Sequence, residues 1–256
     1  MNSVRKELTS DNVISEIKLS LSHPEVKYYF LVEGELDVKF VKRVISDSIL
    51  ISESPGGKTK LIEIFKNINN ERLIPICDRD YSACENGVVY YDYCSLESML
   101  FSIKPLRTDF FDSLNIKYDN EKINNILDLC AYIGSIRKFN YENQYCINFN
   151  ALSPSNYCDI DVERTHNNIV STLNKSSTTK FNDYDVLFEY ENEIEMLNLT
   201  QGHDLIALVK YIFNINKTSN DLEDRLVLAS TPNLIRKTDF YKKITTLVSK
   251  NYLKDI

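Results

Sequence analysis

No two of the six cysteines are spaced as CxxC, and none falls in a zinc-ligand pattern: they stand alone at 77, 84, 94, 130, 146 and 158 of 256 residues. With no signal peptide ahead of them, this argues against a disulfide framework or a metal knuckle, and the expectation is reduced thiols in a cytoplasm. Long apolar runs are missing too. None approaches the ~18 residues of a membrane span, and the first twenty residues, MNSVRKELTSDNVISEIKLS, interleave charges with isolated apolar positions. A soluble protein that is not exported, with no membrane partner, is expected. Positive charge is scarce: 30 Lys and Arg against 37 Asp and Glu give a net charge of −7 and a pI near 5.2. That balance argues against a broad sequence-independent nucleic-acid coat, so any nucleic-acid contact is local, bridged by cations or shared with a partner. There is no internal repeat.

What is present is enough apolar material, 43% of residues, for a large core. From 28 to 100 the chain repeats one rhythm of apolar run, polar break and helical stripe, the βαβ pattern. YYFLVE (28–33), SILISES (48–54), RLIPICD (72–78) and VVYYDY (88–93) read as four strands. The first is almost continuously apolar, as suits a parallel sheet covered on both faces. Leu36, Phe40, Val41, Val44 and Ile45 stripe one helix, and Leu61, Ile62, Ile64, Phe65 and Ile68 a second. Pro75 inside the third run donates nothing to a ladder and marks an edge or a bulge. Beyond about Pro105 the texture becomes helical: Ile123, Ile126, Leu127, Cys130 and Ile133, then Leu205, Leu208, Val209 and Ile212, then Phe240, Ile244, Leu247 and Val248. NKSSTTKFND (174–183) reads as a loop and YCINFN (145–150) as a stray strand. The expected fold class is α/β, with an N-terminal helical segment at 1–24, a four-stranded parallel sheet domain at 25–105 and a mostly helical region at 106–256.

Ligands of open parallel sheets gather at the carboxyl ends of the strands, and here those ends are acidic. FLVEGELDVKF (30–40) places Glu33 at the end of the first strand and Asp37 in the first turn of the next helix. The third strand ends on Asp78, with Asp80 two residues on, and the fourth leads to a helix carrying Glu97. In an extended segment residues i and i+2 point the same way, so Asp78 and Asp80 are expected to converge. Two such charges ~4 Å apart cost roughly 4 kcal/mol at an effective dielectric near 20. Either some protonate, as in an acid/base dyad, or hard divalent cations bind, and an all-oxygen set points to Mg²⁺ or Mn²⁺. Taken singly, each acid also suits a helix N-terminus, where carboxylates are favoured by the dipole.

VEGELD (32–37), GGK (56–58) and DRD (78–80), in that order, resemble the Toprim domain, the metal-binding α/β fold of topoisomerases, bacterial primases and OLD-type nucleases. GGKTK, ICDRDY and YCSLESML are similar to Toprim nucleases of bacterial anti-phage defence, the effector class of PARIS-type systems, and TQGHDL (200–205) looks like a further motif of that group. The resemblance covers about residues 25–105 and implies a four-stranded parallel sheet with helices on both sides. It implies Glu33 as metal ligand or general acid/base, Asp78 and Asp80 as Mg²⁺ ligands, and Asp37 with Glu97 at a second metal. It also implies a toxic nuclease cutting RNA, such as tRNA, or DNA, governed by a separate ATPase subunit; a homodimer is admitted.

SESPGGKT fails as a P-loop, because GxxxxGK(S/T) requires glycine where Ser52 stands. Gly56 and Gly57 still offer backbone N–H groups at a helix start, and Lys58 is a candidate contact for phosphate or developing charge, read equally well as a solvated loop lysine. His203 reads as a capping or packing residue, His23 and His166 as surface residues, Tyr90, Tyr91 and Tyr93 as sheet core, and the cysteines as small buried hydrophobes. Two other functions share these acids: a metal-binding regulatory subunit without turnover, and a primase-type nucleotidyl transferase. The latter calls for basic template contacts or a zinc-binding domain, and neither is visible.

Overall fold

A computed structural model describes residues 9–45, 49–159, 162–182, 185–188, 190–248 and 253. The expectations for residues 1–8, Ser48 and Asp183 lie outside them. The strands are β1 (Tyr29–Val32), β2 (Leu50–Glu53), β3 (Leu73–Cys77) and β4 (Val89–Tyr90). Around and after them come α1 (Ser10–Ser22), α2 (Glu35–Val44), α3 (Gly57–Ile68), α4 (Leu96–Ser102), α5 (Lys104–Ser113), α6 (Asn120–Asn143), α7 (Pro154–Tyr157) and α8 (Val162–Ser176). α9 (Glu193–Leu199), α10 (Gly202–Ile212), α11 (Ser219–Ala229), α12 (Pro232–Ile235) and α13 (Asp239–Leu247) complete the order. The fold is α/β, as the rhythm of apolar runs predicts: an all-parallel sheet in the order β2-β1-β3-β4, flanked by helices and followed by a helical region.

The chain divides into two compact units, residues 1–92 with 226–256, and residues 93–225. The division falls twelve or so residues before the boundary expected at 105, and the C-terminal segment returns to the sheet unit because its apolar side chains complete that core. In the sheet unit, Val13, Ile17 and Leu21 of α1 and Leu61 and Ile64 of α3 pack with Tyr29, Leu31, Leu73, Cys77 and Tyr90. Alternation along the strands sends Phe30, Val32 and Tyr91 to the other face. There Phe40 of α2, Tyr91 and Phe240 of α13 form an aromatic cluster with ring centroids 4.9 to 5.8 Å apart. Asp92 seats α13 by accepting the N–H groups of Asp239 and Phe240, each at 2.7 Å. Arg43 donates to the Ser230 and Leu228 carbonyls at 3.0 and 2.9 Å, tying α2 to the same segment.

Two local readings are corrected. Pro75 lies in an interior strand, neither edge nor bulge. The Arg72 carbonyl accepts from Tyr29 of β1 and the Cys77 carbonyl from Tyr91, so odd-numbered β3 residues face β4. That ladder starts only at Ile76 opposite Val89, and the N–H that proline lacks has no strand beside it. YCINFN forms no strand: Gln144 and Cys146 adopt left-handed φ of 55° and 54°, and the segment ends in a 3-10 turn at Phe149–Ala151. The loop at 174–183 begins only after α8 ends at Ser176.

The helical unit is built on α6, whose buried face runs from Ile123 through Ile126, Leu127 and Cys130 to Ile133, as its spacing predicts. His166 is half-buried there and not freely exposed: its ring stacks on Tyr132 at 3.8 Å, and Tyr132 stacks on Phe188 at 4.5 Å. None of the six cysteines forms a disulfide; Cys77, Cys94 and Cys130 are buried, whereas Cys84 and Cys146 are exposed. Among the described residues no helix is long and apolar enough to cross a membrane.

Candidate functional site

β1 and β3 run parallel with Val32 opposite Ile76, so the chain leaves both strands at one edge and Glu33 emerges beside Cys77 and Asp78. The Asp78 N–H donates to Glu33 Oε2 at 3.4 Å, and the Lys58 N–H donates to the same carboxylate. Burial pushes the Glu33 carboxyl above its ordinary range, the Asp80 charge adds to the rise, and the two backbone donors and the Lys58 ammonium offset only part of it. Gly57 sets the backbone that presents the Lys58 N–H. It starts α3 at φ +64°, a left-handed backbone that favours glycine, although a Cβ there would meet Glu33 Oε1 only at an ordinary contact distance of 3.6 Å.

Gly34, between β1 and α2, has no backbone conformation that requires glycine. Its φ of −152° is extended backbone open to any residue. The turn is held by Asp37, whose Oδ2 accepts from the Gly34 N–H at 2.9 Å while Oδ1 accepts from the Tyr91 hydroxyl at 2.7 Å. Tyr91 is fully buried, and its hydroxyl is kept protonated well above the ordinary range by that burial and by the Asp37 charge. Asp37 thus positions the segment that carries Glu33. Sequence reading takes Tyr91 as sheet core and misses this bond, because nothing local links positions 37 and 91.

Asp78 and Asp80 do not share the extended geometry expected of DRD. β3 ends at Cys77, and Asp80 has a left-handed φ of +48°. That turn delivers Asp80 to Lys58: Nζ lies 3.1 Å from Asp80 Oδ2 and 2.8 Å from the Arg79 carbonyl oxygen, with the Tyr90 ring centroid at 5.6 Å. The Lys58 side chain is only 13% exposed, so it is not a solvated loop lysine. Glu33, Lys58, Asp78 and Asp80 therefore share one edge of the sheet, with Asp37 bracing it.

Glu97 belongs to the helical unit. Ser95 caps α4 ahead of it, the Ser98 hydroxyl donates to the Thr200 carbonyl, and the Glu97 carboxylate rests on the start of α10. A Cβ on Gly202 would fall 1.9 Å from Glu97 Oε2, so any larger residue there would push the Glu97 carboxylate from its present seat. Burial raises the Glu97 carboxyl, against the Ser95 hydrogen bond and the His203 charge. Next to it, Arg137 grips Asp204 with Nε to Oδ2 at 2.9 Å and an Nη to Oδ1 at 3.1 Å, and His203 Nε2 lies 2.9 Å from the same guanidinium. Burial alone raises the Asp204 carboxyl; the His203 and Arg137 contacts outweigh it and hold the group below its usual range.

A carboxylate depressed in the fold stabilises above its unfolded value, about pH 4, and loses that contribution as pH falls through the lower folded value. Asp204→Asn is expected to cost about 3 kcal/mol at neutral pH, since it strands a largely buried Arg137. The cost shrinks toward pH 3, and urea unfolding at both pH values measures the difference.

As a donor set, Glu33, Asp78 and Asp80 are hard oxygens suited to Mg²⁺ or Mn²⁺, and the rim already draws a cation in the form of the Lys58 ammonium. Among the described residues, no group of three or more His, Cys, Asp or Glu is placed to hold a metal ion by itself. A cavity of about 1300 Å³ lies within the helical unit, with Lys122, Asp128, Lys210 and Tyr211 on its walls, and none of the candidate acids lines it. The chain matches no family model and no curated protein.

Proposed function

We propose that the chain is a Mg²⁺-dependent phosphodiesterase that cleaves nucleic acid. The observation that carries this reading is the meeting of Glu33, Asp78, Asp80 and Lys58 at the carboxyl edge of a parallel sheet. Asp78 and Asp80, with Glu33, would hold the metal. When bound, Mg²⁺ supplies positive charge at a phosphate oxygen and lowers the pKa of water. Glu33 holds or releases a proton at its raised pKa, fitting it to act as general base or acid beside the scissile phosphate. Lys58 supplies charge toward the phosphate. Asp37 and Tyr91 keep Glu33 in place.

The biological setting rests on the Toprim resemblance alone: a toxic effector of anti-phage defence, kept quiet and released by a separate ATPase. An unrestrained nuclease harms its host, and the chain's own GGKT lacks the glycine of an ATP-binding loop. The acids recognise phosphate and not sequence, so the choice of RNA or DNA lies with other residues.

Purified protein, with and without the product of an adjacent ATPase gene, is incubated with tRNA, single-stranded DNA and duplex DNA in Mg²⁺. Cleavage of one of them, lost on adding EDTA and in Asp78→Ala, is the expected result. No cleavage under any activating condition, with biological effect retained by Asp78→Ala, would favour a non-catalytic regulatory subunit.

A further inference from the structure

We propose that Lys58 is a built-in counter-cation of the acidic rim, holding the charge position that a divalent ion takes over, so that ion uptake and release of the Lys58 ammonium are one event. The proposal rests on the metal-site reading above. Lys58 grips the rim twice. Its backbone N–H donates to Glu33, and its Nζ donates to Asp80 Oδ2 and the Arg79 carbonyl at 3.1 and 2.8 Å. The first contact is fixed by the backbone, because Gly57 sets the start of α3. The second is not: it hangs on a four-carbon stem whose rotations let the ammonium leave without moving the helix.

Charge and space make the two cations alternatives. A doubly charged ion on Asp80 repels a neighbouring ammonium twice as strongly as a single charge at the same distance would, and it competes for the same carboxylate oxygens. The side chain is largely withdrawn from water, so Nζ is stabilised where it stands mainly by these rim oxygens. Nζ already lies over the Tyr90 ring, 5.6 Å from its centroid, a contact it can keep while it leaves the carboxylate. Its charge is then available to a substrate phosphate, and Lys58 passes from guarding the acids to binding what they act on.

The test is Mn²⁺ titration calorimetry on the full chain, alongside thermal unfolding in EDTA. Lys58→Met keeps the stem and removes the charge. It is expected to bind Mn²⁺ about tenfold more tightly than wild type, within the usual range for coupled sites, and to unfold at a lower temperature in EDTA, with the difference removed by Mn²⁺. Lys58→Arg, which keeps the charge, is expected to bind no more tightly than wild type. Lys58→Gln, read in the same way, replaces the Met variant if that one misfolds. Wild-type uptake with unchanged or weaker affinity in the charge-free variant overturns this proposal alone. Wild-type protein that takes up no Mn²⁺ at millimolar concentration overturns the metal reading, and this proposal with it.

Discussion

Glu33→Gln is expected to slow phosphodiester cleavage by about 10²- to 10⁴-fold, the range of a positioned general acid or base, while leaving the folded protein at least as stable as wild type in metal-free buffer. The two halves have one cause. Glu33 is enclosed at the end of β1, close to the Asp80 charge, and its carboxyl is raised because the ionised form is disfavoured there. A carboxyl raised in the fold stabilises below its unfolded value, near pH 4.3 to 4.5, and that contribution is lost as pH rises through the raised folded value. Glutamine keeps an oxygen for the Asp78 and Lys58 N–H groups and never ionises. The stability gap between variant and wild type therefore opens as pH climbs through that window. Single-turnover cleavage in Mg²⁺ measures the first effect, and urea unfolding in EDTA at several pH values the second. A variant that loses stability at neutral pH as heavily as a core truncation would instead make Glu33 a structural residue.

The parts of this site visible in the sequence are those set by neighbours along the chain. The apolar run before Glu33 announces β1, and the stripe from Leu36 to Val44 announces α2, because burial on two faces and on one face leave different periods. A parallel register then carries Glu33 to the same edge as Asp78 without further information. What was hidden depends on partners remote in sequence or on a single dihedral angle. Asp80 reaches Lys58 through a left-handed turn, where the DxD spacing predicts an extended segment. Asp37 is spoken for by a tyrosine 54 residues away. Arg137 faces Asp204 across 67 residues, and no spacing rule anticipates the pair. Glu97 reads as one more strand-end acid, yet its immediate surroundings are Ser95, Gly202 and His203 of the helical unit. Pro75 is a related case: a proline is tolerated in an interior strand when the neighbouring strand is short, and the shortness of β4 is a tertiary fact.

Gly134→Ala is expected to destabilise the protein by about 3 kcal/mol, toward the severe end of overpacking changes, although the helix taken alone predicts a gain. Glycine in mid-helix costs roughly 0.5 to 1 kcal/mol relative to alanine, and Gly134 lies well inside α6, so on propensity the substitution should help. The fold reverses the sign. A Cβ at 134 would fall 2.0 Å from the Leu199 carbonyl oxygen at the end of α9, so the absence of a side chain lets the two helices touch backbone to side face. The obstacle is a main-chain atom, with no rotamer to yield. Nor can α9 retreat cheaply: the Ser98 hydroxyl holds the Thr200 carbonyl just beyond it, and the Cys94 N–H donates to the Leu197 carbonyl at 3.4 Å. Any shift that relieves the clash drags Thr200 and Gln201 with it and disturbs the start of α10, where Glu97 rests against Gly202. Denaturant unfolding of Gly134→Ala, with Gly134→Ser as a slightly larger companion, reads the cost directly. A rise in the unfolding midpoint for the alanine variant would mean that helix propensity outweighs the packing, and that α6 and α9 stand farther apart than their backbones indicate.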